Sequence, residues 1–177
     1  MSLTRPELLD RVLQAYRSSY DVQLCQREEA PLVAAAVFHE HSTGYMMVKR
    51  AEMWAADRHE YAYFFSTPHL TEELYQQCLA KTLELGQPQV KPGKNHMCTN
   101  LVLMILCDSA DEAALKALRK CRIRKSFHFS LHGWMEVQTA AVELGKDSVV
   151  ANSAGRNVAK FLKNTLFPKR KRRSREN

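Results

Sequence analysis

No stretch of the 177-residue chain approaches the roughly 20 consecutive apolar residues that a membrane-spanning helix requires. The longest useful run, Leu101 to Cys107, has the length of a strand. The N-terminus, Met1-Ser2-Leu3-Thr4-Arg5-Pro6-Glu7, has neither the apolar segment nor the small-residue cleavage site of a secretory signal, so the expected location is the cytosol. Cysteines are few and scattered: Cys25, Cys78, Cys98, Cys107 and Cys121 are odd in number and include no C-x-x-C pair. That spacing excludes a zinc knuckle, a thioredoxin-type motif and a disulfide scaffold, and leaves mostly buried, reduced thiols as the expectation. The phosphate-cradling patterns G-x-G-x-x-G and Walker A are missing, as are G-x-S-x-G and H-E-x-x-H, so the usual nucleotide and hydrolase signatures do not apply. There is no internal repeat and no linker within residues 1–167.

What remains is ordinary globular material, 45% apolar and 25% charged, long enough to build one core without disulfides or metal. Thr4 followed three residues later by Glu7 has capping-box spacing, and Leu8, Leu9, Val12, Leu13 and Tyr16 then share one face, which predicts a helix over residues 5–19. Alternation over Tyr20 to Arg27 predicts a strand, and residues 32–49, with a Ser42-Thr43-Gly44 turn, predict a hairpin. Another strand is expected over Glu60 to Ser66. Thr71 with Glu72 and Glu73 opens a second helix, closed at Gly86 by a residue of positive φ. Met97 to Cys107 reads as an interior strand ended by Asp108, and Ser109 with Glu112 as the capping box of a third helix. Ile123, Phe127, Phe129 and Leu131 fall on one face of a following strand, with Arg124, Ser126, His128 and Ser130 on the other. Trp134 to Leu144 and Val149 to Ala151 are expected to pair across a Gly145-Lys146-Asp147 turn, before a last helix carrying Val158, Phe161, Leu162 and Leu166. About four helices and seven short strands give an α+β, or mixed α/β, single domain whose helices pack on a central, mixed and partly antiparallel sheet.

Three residue groups carry candidate chemistry. His39 and His41, two apart on a strand, point to one face and could share a divalent metal with His59, a pattern similar to cupin-type barrels in the His-x-His pair alone. Arg124, His128, His132 and Trp134 offer a polar strand face for a small ligand or an anion. Asp108 and Glu136 are acids at strand positions, the disposition in which restriction-type nucleases hold Mg²⁺, although Gln138 stands where that motif carries Lys. No cofactor is otherwise expected. The segment Arg124 to Trp134, together with Val149-Val150-Ala151-Asn152-Ser153-Ala154-Gly155-Arg156, resembles the C-terminal half of a family of hypothetical bacterial proteins of unknown function. That resemblance implies no activity.

The formal charge of +7 is uneven. Lys169, Arg170, Lys171, Arg172, Arg173 and Arg175, offset by Glu176, give the last nine residues +5 and leave +2 for residues 1–168. A tail of residues 168–177, expected to be disordered, could meet nucleic acid or an anionic surface, whereas the nearly neutral body is no dedicated nucleic-acid-binding face. The expected function is a non-catalytic ligand- or partner-binding domain. A metal-dependent enzyme and a nucleic-acid binder acting through the tail are the alternatives, and a homodimer would cover the exposed sheet edges.

Overall fold

The central strands are apolar on both faces, so the sheet must be covered twice, and helices lie on each side of it. The computed structural model describes residues 3–40 and 57–168, with the backbone alone at His39 and Glu40. The chain runs α1 (Arg5–Arg17), β1 (Asp21–Leu24), β2 (Leu32–Glu40), β3 (Asp57–Leu70), α2 (Glu72–Gly86), β4 (His96–Ala110), α3 (Glu112–Lys120), β5 (Arg124–Ser126), β6 (Trp134–Glu143), β7 (Ser148–Ala151) and α4 (Arg156–Leu166). Strand order is β1-β2-β3-β4-β6-β5, with β7 also on β6. The β1-β2-β3 half is antiparallel, while β3, β4 and β6 run parallel, joined by α2 and α3 as crossover helices. The expected α+β domain, with four helices and a mixed seven-stranded sheet, is therefore what the described residues form. The second strand of the expected 32–49 hairpin and the basic tail lie outside them.

Strand periodicity divides the core by parity. Ala34, Ala36, Ala62, Phe64, Val102, Met104, Ala140 and Val142 face α1 and α4, where Leu8, Val12, Leu13, Val158 and Leu162 meet them. Tyr63, Phe65, Leu103, Ile105 and Ala141 face α2 and α3, against Tyr75, Cys78, Leu115 and Leu118. Thr4 and Glu7 form the expected capping box, the Thr4 amide donating to Glu7 Oε2 at 2.8 Å, and the Thr71 hydroxyl accepts from the Leu74 amide at 3.1 Å. Four of the five cysteines are buried. Burial pushes the Cys78 and Cys107 thiols up to about 12, which keeps both protonated and unreactive at neutral pH.

Four local expectations need correction. Gly86 has φ −87°, and its missing side chain serves packing: a Cβ there would lie 2.7 Å from Leu101 Cδ2. The strand holding Asp108 continues to Ala110, and α3 is capped at Asp111. Ser109 and Asp111 are drawn instead to His69 on the neighbouring strand, with ring-nitrogen distances of 2.7 and 2.9 Å. The largest departure is at residues 127–133. Here β5 ends at Ser126, and His128, Phe129 and Ser130 adopt consecutive positive φ values of 45°, 53° and 69°. That left-handed turn costs roughly 1–2 kcal/mol for each non-glycine residue. Phe129 and Leu131, expected on a core face, stand in solvent.

Candidate functional site

Towards the start of the parallel strands the α1/α4 face of the sheet stops being apolar. Alternation continues, so residues of the same parity as Ala62, Val102 and Ala140 are Arg58 and Glu60 on β3, Cys98 and Asn100 on β4, and Trp134, Glu136 and Gln138 on β6. Register sets them in rows: Arg58 lies beside Cys98 and Cys98 beside Trp134, while Glu60 lies beside Asn100 and Asn100 beside Glu136. Strands about 4.8 Å apart put the Glu60 and Glu136 backbones roughly 10 Å apart, with the asparagine between them. The end of α1 and the beginning of α4 wall this floor. Together they enclose a groove of about 550 Å³, lined further by Ser18, Ser19, Tyr20, Met97, Asn157 and Phe161. Its size suits a small organic ligand.

One wall is aromatic and rigid. The Tyr16 ring lies 4.5 Å from Tyr20, 5.0 Å from Phe64 and 5.3 Å from Phe161. The Tyr20 hydroxyl donates to Glu60 Oε1 at 2.8 Å, and Asn100 stands beside Glu60 in register. Burial raises the Cys98 thiol, and the Arg58 charge opposes that rise. Across the floor, the Arg124 guanidinium sits 4.7 Å from the centre of the Trp134 ring and 3.7 Å from Glu136 Oε2, so it holds the indole and the second acid at the rim.

Burial raises the Glu60 carboxyl above its ordinary range, against the opposing pull of the Tyr20 hydrogen bond, the Asn100 side chain and the Arg58 charge. A carboxyl whose folded pKa is raised contributes stability below its unfolded value, and that contribution is lost as pH rises through the folded value. Glu60→Gln is therefore expected to raise the melting temperature at neutral pH. The gain should vanish on acidification below about 4.3, the ordinary glutamate value. A melting temperature at or below wild type at neutral pH would contradict this assignment.

The predicted site residues separate into groups. Trp134 and Glu136 line the groove and Arg124 adjoins it. His128 and His132 do not share a strand face with Arg124; their rings lie 4.4 Å apart within the left-handed turn. Asp108 and Glu136 are not brought together: Asp108 follows Asn100, the register partner of Glu136, by eight residues, about 26 Å along the strand, and it pairs with Arg5 at 3.2 Å. Of the histidines proposed for a metal, His41 and the His39 side chain lie outside the described residues. His59 pairs in register with His39, and its ring stacks 6.3 Å from His96. Among the described residues no group of three or more His, Cys, Asp or Glu is placed to hold a metal ion. Beneath the turn, His96 Nδ1 donates to the His132 carbonyl at 2.8 Å, which leaves Nε2, 2.8 Å from the Thr99 hydroxyl, to accept in the neutral ring.

Sequence reading missed Asn100, Arg58 and Tyr20 as site residues. A signal was present, because Asn100 and Gln138 occupy positions whose next neighbours of equal parity are core residues. No helix among the described residues is long and apolar enough to cross a membrane. The chain belongs to the family described as a domain of unknown function (DUF8052), whose model matches residues 4–164, from the cap of α1 into α4. The resemblance noted for the C-terminal half thus extends over both halves. No curated protein and no solved structure matches the chain.

Proposed function

We propose that this member of a domain family of unknown function is a non-catalytic binding domain, taking a small organic molecule in the groove between α1 and α4. The observation that carries the reading is the Glu60, Asn100 and Glu136 row on the inner face of three adjacent strands, a place where burial otherwise selects Ala, Val and Phe. Polar side chains are costly there unless they are satisfied. Two carboxylates offer about eight acceptor positions, of which Tyr20 and Arg124 occupy only a few. The ligand class that fits is rich in hydrogen-bond donors, such as hydroxyls, amides or an amine, with an apolar or flat side for Trp134 and Phe161. Arg58 on the same floor keeps the groove from being uniformly acidic and favours a neutral or singly charged molecule over a polycation.

Thermal-shift titration with a panel of nucleosides, amino sugars and aromatic amines tests the proposal. A ligand present at about 100 times its Kd stabilises the folded state by about 2.7 kcal/mol, several degrees for a domain of this length. The expected result is a class of compounds that raises the melting temperature of the wild type but not of Glu136→Gln or Trp134→Ala. Shifts that persist in both variants would place binding elsewhere, and a panel without shifts would remove the support for this ligand class.

A further inference from the structure

We infer that the turn at residues 127–133 is the insertion tip of a surface that binds anionic lipid bilayers. Four large apolar residues are exposed among the described residues, and two of them, Phe129 at 101% and Leu131 at 77%, stand two positions apart on this turn. A third, Met97, lies at the base: a Cβ on Gly133 would come 2.5 Å from the Met97 carbonyl oxygen. Folding alone does not account for this display. An ordinary strand through 127–131 would have turned Phe129 and Leu131 together onto one face, whereas three consecutive left-handed residues project them outwards. The base is firmly held. The Phe127 amide donates to the Gly133 carbonyl at 3.0 Å, the His132 amide to the Phe127 carbonyl at 3.2 Å, and His96 to the His132 carbonyl.

Charge around the tip decides between occupants. Exposed Arg124 lies over the Trp134 ring at 4.7 Å and exposed Lys125 over the Phe127 ring at 5.6 Å, both at the base of the turn, exposed Arg122 precedes them, and residues 113–135 contain no acid. Arg124 pairs with Glu136, whereas Arg122 and Lys125 have no acidic partner among the described residues. A second copy of the chain docked on this face would set like charges against each other. Nucleic acid would suit the cations and could stack on Phe129, but it offers nothing to Leu131. An anionic bilayer accepts both, since its headgroups attract the cations and its acyl boundary takes Phe129 and Leu131.

Co-sedimentation of the full chain with vesicles tests this surface. The expected result is binding to vesicles of phosphatidylcholine with phosphatidylserine, weakened by salt, and little binding to phosphatidylcholine alone. Phe129→Ser combined with Leu131→Ser should lower partitioning at least tenfold without altering the melting temperature, because neither side chain is packed. Phe129→Trp should show a blue-shifted emission component on the serine-containing vesicles, quenched by brominated acyl chains. Deleting residues 169–177 separates the contribution of the basic tail and should leave the dependence on Phe129 and Leu131 in place. Absence of binding to serine-containing vesicles, or binding that survives the double substitution and disappears with the tail, would overturn the inference. So would retention of single-stranded RNA that needs Phe129 while vesicles are ignored.

Discussion

Asn152→Ala is expected to cost about 4 kcal/mol, the larger of the two strongest effects anticipated for single substitutions. The side chain is buried and uses its full hydrogen-bonding capacity. Its Oδ1 accepts from the Thr139 amide at 3.1 Å and the Gly155 amide at 2.8 Å, and its Nδ2 donates to the Cys121 and Val137 carbonyls, both at 3.0 Å. The reason for the arrangement lies in the edge of the sheet. Both β5 and β7 pair with the outer edge of β6, at residues 134–136 and 140–143, and between them β6 has no strand beside it. The asparagine amide fills that gap, bonding the Val137 carbonyl and the Thr139 amide as a strand would. Removing it orphans three buried backbone groups, the Thr139 amide and the Cys121 and Val137 carbonyls, at roughly 1–3 kcal/mol each, while the Gly155 amide keeps the backbone carbonyl of residue 152 at 3.2 Å; water entering the cavity recovers part of the loss. Urea unfolding should report the difference, with a fall in melting temperature on the order of 8–16 °C.

Asn152→Asp sharpens the test. The carboxylate still accepts from Thr139 and Gly155 but faces two carbonyls with no donor, so at neutral pH this variant should be about as unstable as alanine. Its folded pKa is thereby raised above the unfolded value near 3.9, so stability is regained below that value and lost as pH rises through the folded pKa. Wild-type stability of Asn152→Asp at neutral pH would refute the four-bond assignment. Because Gly155 opens α4, whose Asn157 and Val158 wall the groove, Asn152 links the stability of the sheet edge to the shape of the site.

The same residues show where a sequence discloses its fold and where it does not. Capping at Thr4 and Thr71, the two-faced apolar run of β4 and the β6–β7 pairing were legible because each depends on local periodicity or a local hydrogen bond. The turn at 127–133 was misread for the same reason. Its Phe and Leu spacing is that of a strand, and only the contact of Gly133 with β4 shows why the strand stops. The groove was half visible: Trp134 and Glu136 stood out as chemistry, but their convergence with Glu60 and Asn100 depends on the parallel order β3-β4-β6, which comes from crossover connections rather than from any local pattern. Asn152 could be seen only as part of a turn before the last helix, since its partners lie 3–31 residues away in sequence.

Gly133→Ala should lower stability by about 3 kcal/mol and disturb both the tip and the groove. Gly133 has φ +77°, where a side chain is strained, and a Cβ would lie 2.4 Å from the His96 carbonyl oxygen and 2.5 Å from both His96 Nδ1 and the Met97 carbonyl oxygen. Two of those atoms belong to the backbone at the start of β4 and cannot rotate away, so β4 and β6 must separate where Cys98 pairs with Trp134. That separation breaks the bond from His96 to the His132 carbonyl, which anchors the turn, and shifts Trp134 at the groove floor. Gly93→Ala is the matched control, because a Cβ there meets nothing within 4 Å, and it should leave the melting temperature nearly unchanged. The two glycines are opposite in constraint. If Gly133→Ala melts with Gly93→Ala, the contact between the turn and β4 does not hold the tip.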